Sequence, residues 1–110
     1  SAASDVYKRQ YLQTGCSISN NSSLVTVPST VGLAIGMKVQ EYTGVNANNT
    51  TADPNTLTTA NIPTDTYIKS IVNPTTIELG SVVAGERSTP FTGAARNATG
   101  SNSSANLWFS

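Results

Sequence analysis

Histidine is absent from the 110 residues, and cysteine, methionine and tryptophan occur once each. Without imidazole, serine and cysteine triads that use a histidine base cannot be built, nor can histidine-ligated zinc sites. A lone cysteine, Cys16, cannot form an internal disulfide, so cysteine usage leaves the redox compartment open. Cys16 reads as an unpaired small residue, with a reactive thiol as the competing reading. Charge is scarce as well. Six basic and six acidic residues cancel and make up 11% of the chain, against roughly a quarter in an average globular domain. The balance offers no electrostatic footprint for nucleic acid or for an acidic membrane surface. No apolar run approaches the roughly 18–20 residues of a membrane-spanning helix.

What is abundant is serine, threonine and asparagine, roughly two-fifths of the chain together. Threonine suits strands while asparagine and serine suit turns, so the mixture predicts short strands joined by long polar loops. The densest β-branched run is residues 66–79, TYIKSIVNPTTIEL, with Asn73-Pro74 in its middle. It predicts a β-hairpin. In the second arm Ile77 and Leu79 lie two apart and should face a core, leaving Thr76 and Glu78 toward water. In the first arm Ile68 and Ile71 are three apart. Either a bulge lies near Lys69-Ser70, or Ile71 and Val72 cover a second apolar surface.

Residues 1–10, SAASDVYKRQ, resemble the translation of a transposase adapter oligonucleotide used to prepare sequencing libraries. That resemblance implies an artefact over 1–10 and a natural chain extending further N-terminally, so the segment is set aside from fold reasoning. Residues 11–22 read as a connector or weak first strand, and 23–110 as a single β domain. Residues 23–27, SLVTV, form a short strand stopped by Pro28, which cannot donate to a ladder. Gly32 and Gly36 would each cost a helix about 1 kcal/mol, so 29–36 read as a turn feeding a strand over 37–42. Residues 43–61 hold almost no large apolar side chain and predict a long mobile loop. Residues 80–104 are a second polar stretch, with Val82, Val83 and Phe91 as its bulky apolar members. The last strand, 105–110, places Leu107 and Phe109 on one face and Trp108 on the other. The expected fold is all-β, a small antiparallel β-sandwich or partly open barrel with two long polar loops. Its core is small enough that a neighbour or an oligomer could contribute to stability.

The order VTVPSTVGLAIGMKV, NIPTDTYIKSIVNPTTIEL and NLWF resembles small β modules of tailed-phage virion proteins, which also occur as repeats in bacterial surface proteins. Val25-Thr26-Val27, Gly32, Gly36-Met37 and Val39 match the first half of the pattern. Ile62-Pro63, Thr66, Ile68, Ile71, Thr75, Ile77 and Leu79 match the second, and Leu107 with Phe109 the close. Asp65 stands where the pattern has glycine, a residue that also tolerates a left-handed turn. Residues 43–61 and 80–104 are longer than their counterparts in the pattern. The resemblance implies a non-enzymatic structural or host-recognition module of a virion, with a bacterial adhesin or carbohydrate-binding surface repeat as the alternative. It brings no catalytic residue and no cofactor.

Glu41, Asp53, Asp65, Glu78 and Glu86 are spread over separate strands and loops with polar neighbours, and read as solvated surface charges. Weak Ca²⁺ binding by Asp53 and Asp65 is the alternative, although no D-x-D-x-D-G spacing accompanies them. Asn21, Asn49, Asn97 and Asn102 head N-x-S/T sequons, which arise by chance in a chain of this composition. The expected contact surface is Asn48, Asn49, Thr50, Asp53 and Asn55 in the first loop, together with Trp108. Trp108 could stack on a sugar ring, cap the core or pack on a neighbouring subunit. The expected partners are other virion subunits or a host-surface glycan or protein, with self-association as a further option. Neither nucleic acid nor a membrane span is expected. The expected location is the virion, or alternatively the bacterial cell surface.

Overall fold

The computed structural model describes residues 11–81 and 93–110. The adapter-like segment 1–10 lies outside the described residues, as do Val82, Val83, Glu86, Arg87 and Phe91 of the second polar stretch. Seven strands form among the described residues: β1 (Tyr11–Ile18), β2 (Leu24–Thr26), β3 (Val39–Tyr42), β4 (Leu57–Thr58), β5 (Thr66–Asn73), β6 (Thr76–Ser81) and β7 (Asn102–Phe109). They make one antiparallel sheet in the order β4-β3-β7-β1-β2-β6-β5. The sheet is all-β and is not closed into a barrel by a continuous ladder. It curls until its far strand meets the segment leading into β3. There Ile68 donates its N–H to Met37 O at 2.8 Å, Gly36 N–H reaches Ile68 O at 2.8 Å, and Lys38 bridges Tyr67.

Period-two patterning decides what fills the curl. Val25, Val27, Met37, Val39, Ile68, Ile77, Leu79, Leu107 and Phe109 are all buried in one apolar cluster. Each aliphatic side chain so buried contributes about 1.5–3 kcal/mol. The hairpin over 66–79 forms as β5 and β6, and Asn73 Oδ1 accepts the Thr75 N–H at 2.9 Å across its turn. A register shift between Ile68 and Ser70 marks the bulge expected near Lys69-Ser70. It lets Ile68 sit fully inside while Ile71 packs at the margin of the same cluster and Val72 faces out, 51% exposed. Thr76 and Glu78 are half-buried on the other face. Asp65 takes φ +58°, so it supplies the left-handed turn in place of glycine.

Of the two readings of residues 11–22, connector or weak first strand, the strand is the one that forms, over Tyr11–Ile18. β1 is an eight-residue strand in the middle of the sheet, paired with β7 on one edge and β2 on the other. Its alternation is interrupted by a register shift between Gln13 and Cys16, where Gly15 adopts φ +73°. Before the shift Leu12 lies opposite Trp108; after it Cys16 and Ile18 point into the core. The bulge hides the strand from a simple period-two reading.

Two outcomes follow from this packing. Ile77→Ala is expected to cost about 2–4 kcal/mol in denaturant unfolding, and Thr76→Ala under about 1 kcal/mol. Equal losses would overturn the facing of β6. Cys16 is fully buried, and desolvation pushes its thiol from 9.0 up to about 12, opposed in part by a hydrogen bond to the Leu107 backbone. Because the folded value is the higher one, the associated stability is complete below the unfolded value and is lost as pH rises from about 9 toward 12. At pH 8 the native thiol should therefore resist an aromatic disulfide reagent that labels the urea-unfolded chain within minutes. Rapid labelling of the native protein would show that Cys16 is accessible.

Candidate functional site

Between β3 and β4 the chain leaves the sheet and returns. Residues 43–61 are not the unstructured loop their composition predicts. Thr43 N–H donates to Thr56 O at 2.9 Å, Asp53 N–H to Gly44 O at 3.0 Å, and Asn46 N–H to Thr51 O at 2.8 Å, with a bridge between Val45 and Ala52. Side chains complete this frame. Asn46 Oδ1 accepts from the N–H groups of Thr50 and Thr51 at 2.8 and 3.1 Å, and Asn46 Nδ2 donates to Thr50 Oγ1 at 3.0 Å. Thr56 Oγ1 accepts from Gly44 N–H at 2.9 Å and donates to Asp53 O at 2.8 Å. Asp53 caps the 3₁₀ turn Pro54–Thr56, its Oδ1 accepting the Asn55 N–H at 3.0 Å. Polar side chains thus satisfy backbone groups that burial would otherwise have to protect.

The arm presents Asn48, Asn49 and Thr50 together at its exposed tip, with Asn49 in the left-handed region at φ +56°. Asn55 is exposed on the 3₁₀ turn, while Asp53 is half-buried and its carboxylate is occupied by capping. Trp108 is not part of the arm. It stands half-buried on the outer face of β7, opposite Leu12 of β1 and Gln40 of β3.

Glu41 corrects the expectation of a solvated surface charge. It is 1% exposed and points inward from β3, in line with Met37 and Val39. Asn61 Nδ2 donates to Glu41 Oε1 at 2.9 Å and Asn102 Nδ2 to Oε2 at 2.8 Å. A buried carboxylate without such partners would cost several kcal/mol, so both carboxylate oxygens are held. Asn102, the head of a sequon, is consequently turned onto Glu41. Asn61 is fixed from the other side as well, its carbonyl accepting the Thr99 N–H at 2.9 Å. A Cβ on Gly100 would overlap Asn61 Oδ1 and so displace the amide that holds Glu41. The alternation of Met37, Val39 and Glu41 was the signal that could have found this residue.

On the opposite face of β3 and β7, registers set a compact patch. Gln40 lies opposite Trp108, and Tyr42 lies between Asn106 of β7 and Leu57 of β4. Beside it a small cleft of about 40 Å³ opens between β3, β4 and the 62–65 turn, with Lys38, Gln40, Leu57, Thr58, Thr64 and Asp65 in its walls. A cleft of that volume takes roughly three waters.

No group of three or more His, Cys, Asp or Glu side chains capable of holding a metal ion occurs among the described residues. No helix among them is long and apolar enough to cross a membrane. No protein-family model, no curated protein and no solved structure matches the chain.

The buried carboxylate generates a stability test. Glu41→Gln turns one acceptor oxygen into a donor that faces an asparagine NH₂, and is expected to cost about 1–3 kcal/mol. Glu78→Gln, on the half-buried face where its Oε1 accepts only the Ser70 hydroxyl at 3.1 Å, should cost under about 1 kcal/mol. Urea midpoints of the two variants decide it. Indistinguishable midpoints would mean that Glu41 is not held as described.

Proposed function

We propose that this chain is a non-enzymatic recognition or structural module of a tailed-phage virion, acting through the arm over residues 43–61. The observation that carries the reading is the arm itself. Its tip holds Asn48, Asn49 and Thr50 exposed on a frame built by Asn46 and Thr56, so the amides of Asn48 and Asn49 are offered outward, beside a Thr50 hydroxyl that accepts from Asn46. Such groups, carried on a rigid β scaffold, suit hydrogen bonding to glycan hydroxyls or to a polar protein neighbour. The resemblance of VTVPSTVGLAIGMKV and NIPTDTYIKSIVNPTTIEL to virion β modules supplies the biological setting. A second reading, a carbohydrate-binding module of a bacterial surface protein, is favoured by Trp108 and Tyr42 on the outer face.

The test removes the two tip amides and leaves Thr50, whose hydroxyl accepts from Asn46 within the frame, in place. Asn48→Ala and Asn49→Gly are combined, glycine being chosen because position 49 needs φ above zero. The fluorescently labelled module and its variant are compared by flow cytometry on a panel of bacterial cells. Cell-bound signal should fall severalfold for the variant while its melting temperature is unchanged. Equal cell binding by variant and parent would move the contact surface off the arm.

A further inference from the structure

We infer that the outer face of β3 and β7 is a binding platform for a neutral saccharide, with Trp108 as the stacking residue. The inference rests on the recognition reading above and adds to it a ligand class and a second surface. Two rows of side chains cross the face: Leu12, Trp108 and Gln40 in one, and Asn106, Tyr42 and Leu57 in the next. Directly opposed residues on one face of a sheet lie about 5 Å apart and diagonal ones about 7–8 Å. The two aromatic rings therefore occupy one diagonal of a checkerboard and the amides of Gln40 and Asn106 the other. Among the described residues neither amide is hydrogen-bonded to another side chain or to backbone through its side-chain atoms. An aromatic face matches the C–H face of a pyranose ring, and an amide beside it offers a donor and an acceptor to the ring hydroxyls.

Charge selects the ligand further. None of these six side chains is charged at neutral pH, and the adjoining cleft carries one residue of each sign, Lys38 and Asp65. An acidic or basic polymer would find no complementary field here, whereas a neutral sugar needs none. The cleft joins the platform through Gln40 and Leu57. Its wall includes backbone as well. Lys38 and Ser110 exchange both backbone hydrogen bonds, at 2.8 and 3.1 Å, so the antiparallel alternation turns the N–H and C=O of Val39 toward the opposite edge of β3. On that edge Val39 lines the cleft, between the Glu41–Thr58 pair and the Lys38–Tyr67 bridge. The volume admits a hydroxymethyl group or a few waters, not a sugar ring, so the ring lies on Trp108 and only a side arm enters.

Trp108 is the single tryptophan of the chain, which makes the platform its own reporter. The full chain is titrated with cellohexaose, maltohexaose, laminarihexaose and chitohexaose, and with polygalacturonate as an acidic control, while indole emission is followed. At least one neutral hexasaccharide should shift or quench the emission saturably, and polygalacturonate should not. By calorimetry Trp108→Ala should bind that sugar at least roughly tenfold more weakly, and Gln40→Ala more weakly than the parent. Trp108→Phe, which keeps a stacking ring, should retain most of the affinity and guards against a folding defect in the alanine variant. Failure of all four neutral sugars to bind the folded protein would overturn the inference, as would preferential binding of polygalacturonate. Binding that survives Trp108→Ala but is lost in the arm-tip variant would overturn the platform while leaving the recognition reading standing. Self-association without sugar in analytical ultracentrifugation, abolished by Trp108→Ala, would make the face a contact between copies of the chain and also overturn it.

Discussion

The fold depends on how it accommodates one buried charge. Glu41 occupies an inward position of β3 that period two assigns to an apolar residue, and its carboxylate is removed from water. Desolvating a carboxylate costs several kcal/mol, and charge-assisted hydrogen bonds return about 1.5–3 kcal/mol each. Two such bonds, from Asn61 and Asn102, bring the account near balance. Their value lies in placement. Asn61 belongs to the return from the arm and Asn102 opens β7, so one side chain fixes the relation of β3 to segments 20 and 61 residues away. The close approach of Gly100 to Asn61 follows from the same anchor, as does the pair of bonds from Thr99 to Ala60 and Asn61.

Curvature is the second constraint, and bulges supply it. The register shifts in β1 and β5 each insert backbone on one side of a ladder and sharpen the local twist. The end strand β5 can thereby meet the segment leading into β3 at Tyr67 and Lys38, around a core made from one sheet. A flat sheet of these strands would leave Ile68, Ile77, Leu107 and Phe109 with nothing to pack on.

Legibility in the sequence tracked how local the deciding interaction was. The hairpin at 66–79, the facing of Ile77 and Leu79, the bulge at Lys69-Ser70 and the opposite facing of Trp108 and Phe109 all follow from neighbours within a few residues. β1 was obscured because Gly15 shifts its alternation midway, leaving no continuous period-two signal. The arm was misread for a different reason. Composition rightly reported the lack of apolar anchors, but asparagine and threonine also bond backbone directly, and Asn46 and Thr56 build the frame by that means. Glu41 obeyed the pattern, but its polar sequence neighbours pointed to a solvated surface charge, and charged residues are rarely buried. Its partners could not be chosen from sequence, since Asn61 and Asn102 are two among many asparagines.

The same alternation that buries Glu41 exposes Gln40 and Tyr42, and this couples the two faces of β3. A stacking surface is useful only if its rings hold their spacing, because each ring that must be ordered on binding loses affinity to conformational entropy. Here the spacing of Trp108 and Tyr42 is set by the β3–β7 register. That register is pinned from within by Val39 and Phe109 in the core and by the Glu41–Asn102 bond at its end. A slip of β3 by one residue would carry Glu41 to the surface and turn Gln40 and Tyr42 into the core. The buried carboxylate therefore opposes the misregistered sheet, since its two amide partners exist only in the observed alignment. On this argument the residue least suited to the core by chemistry is what keeps the outer face in order.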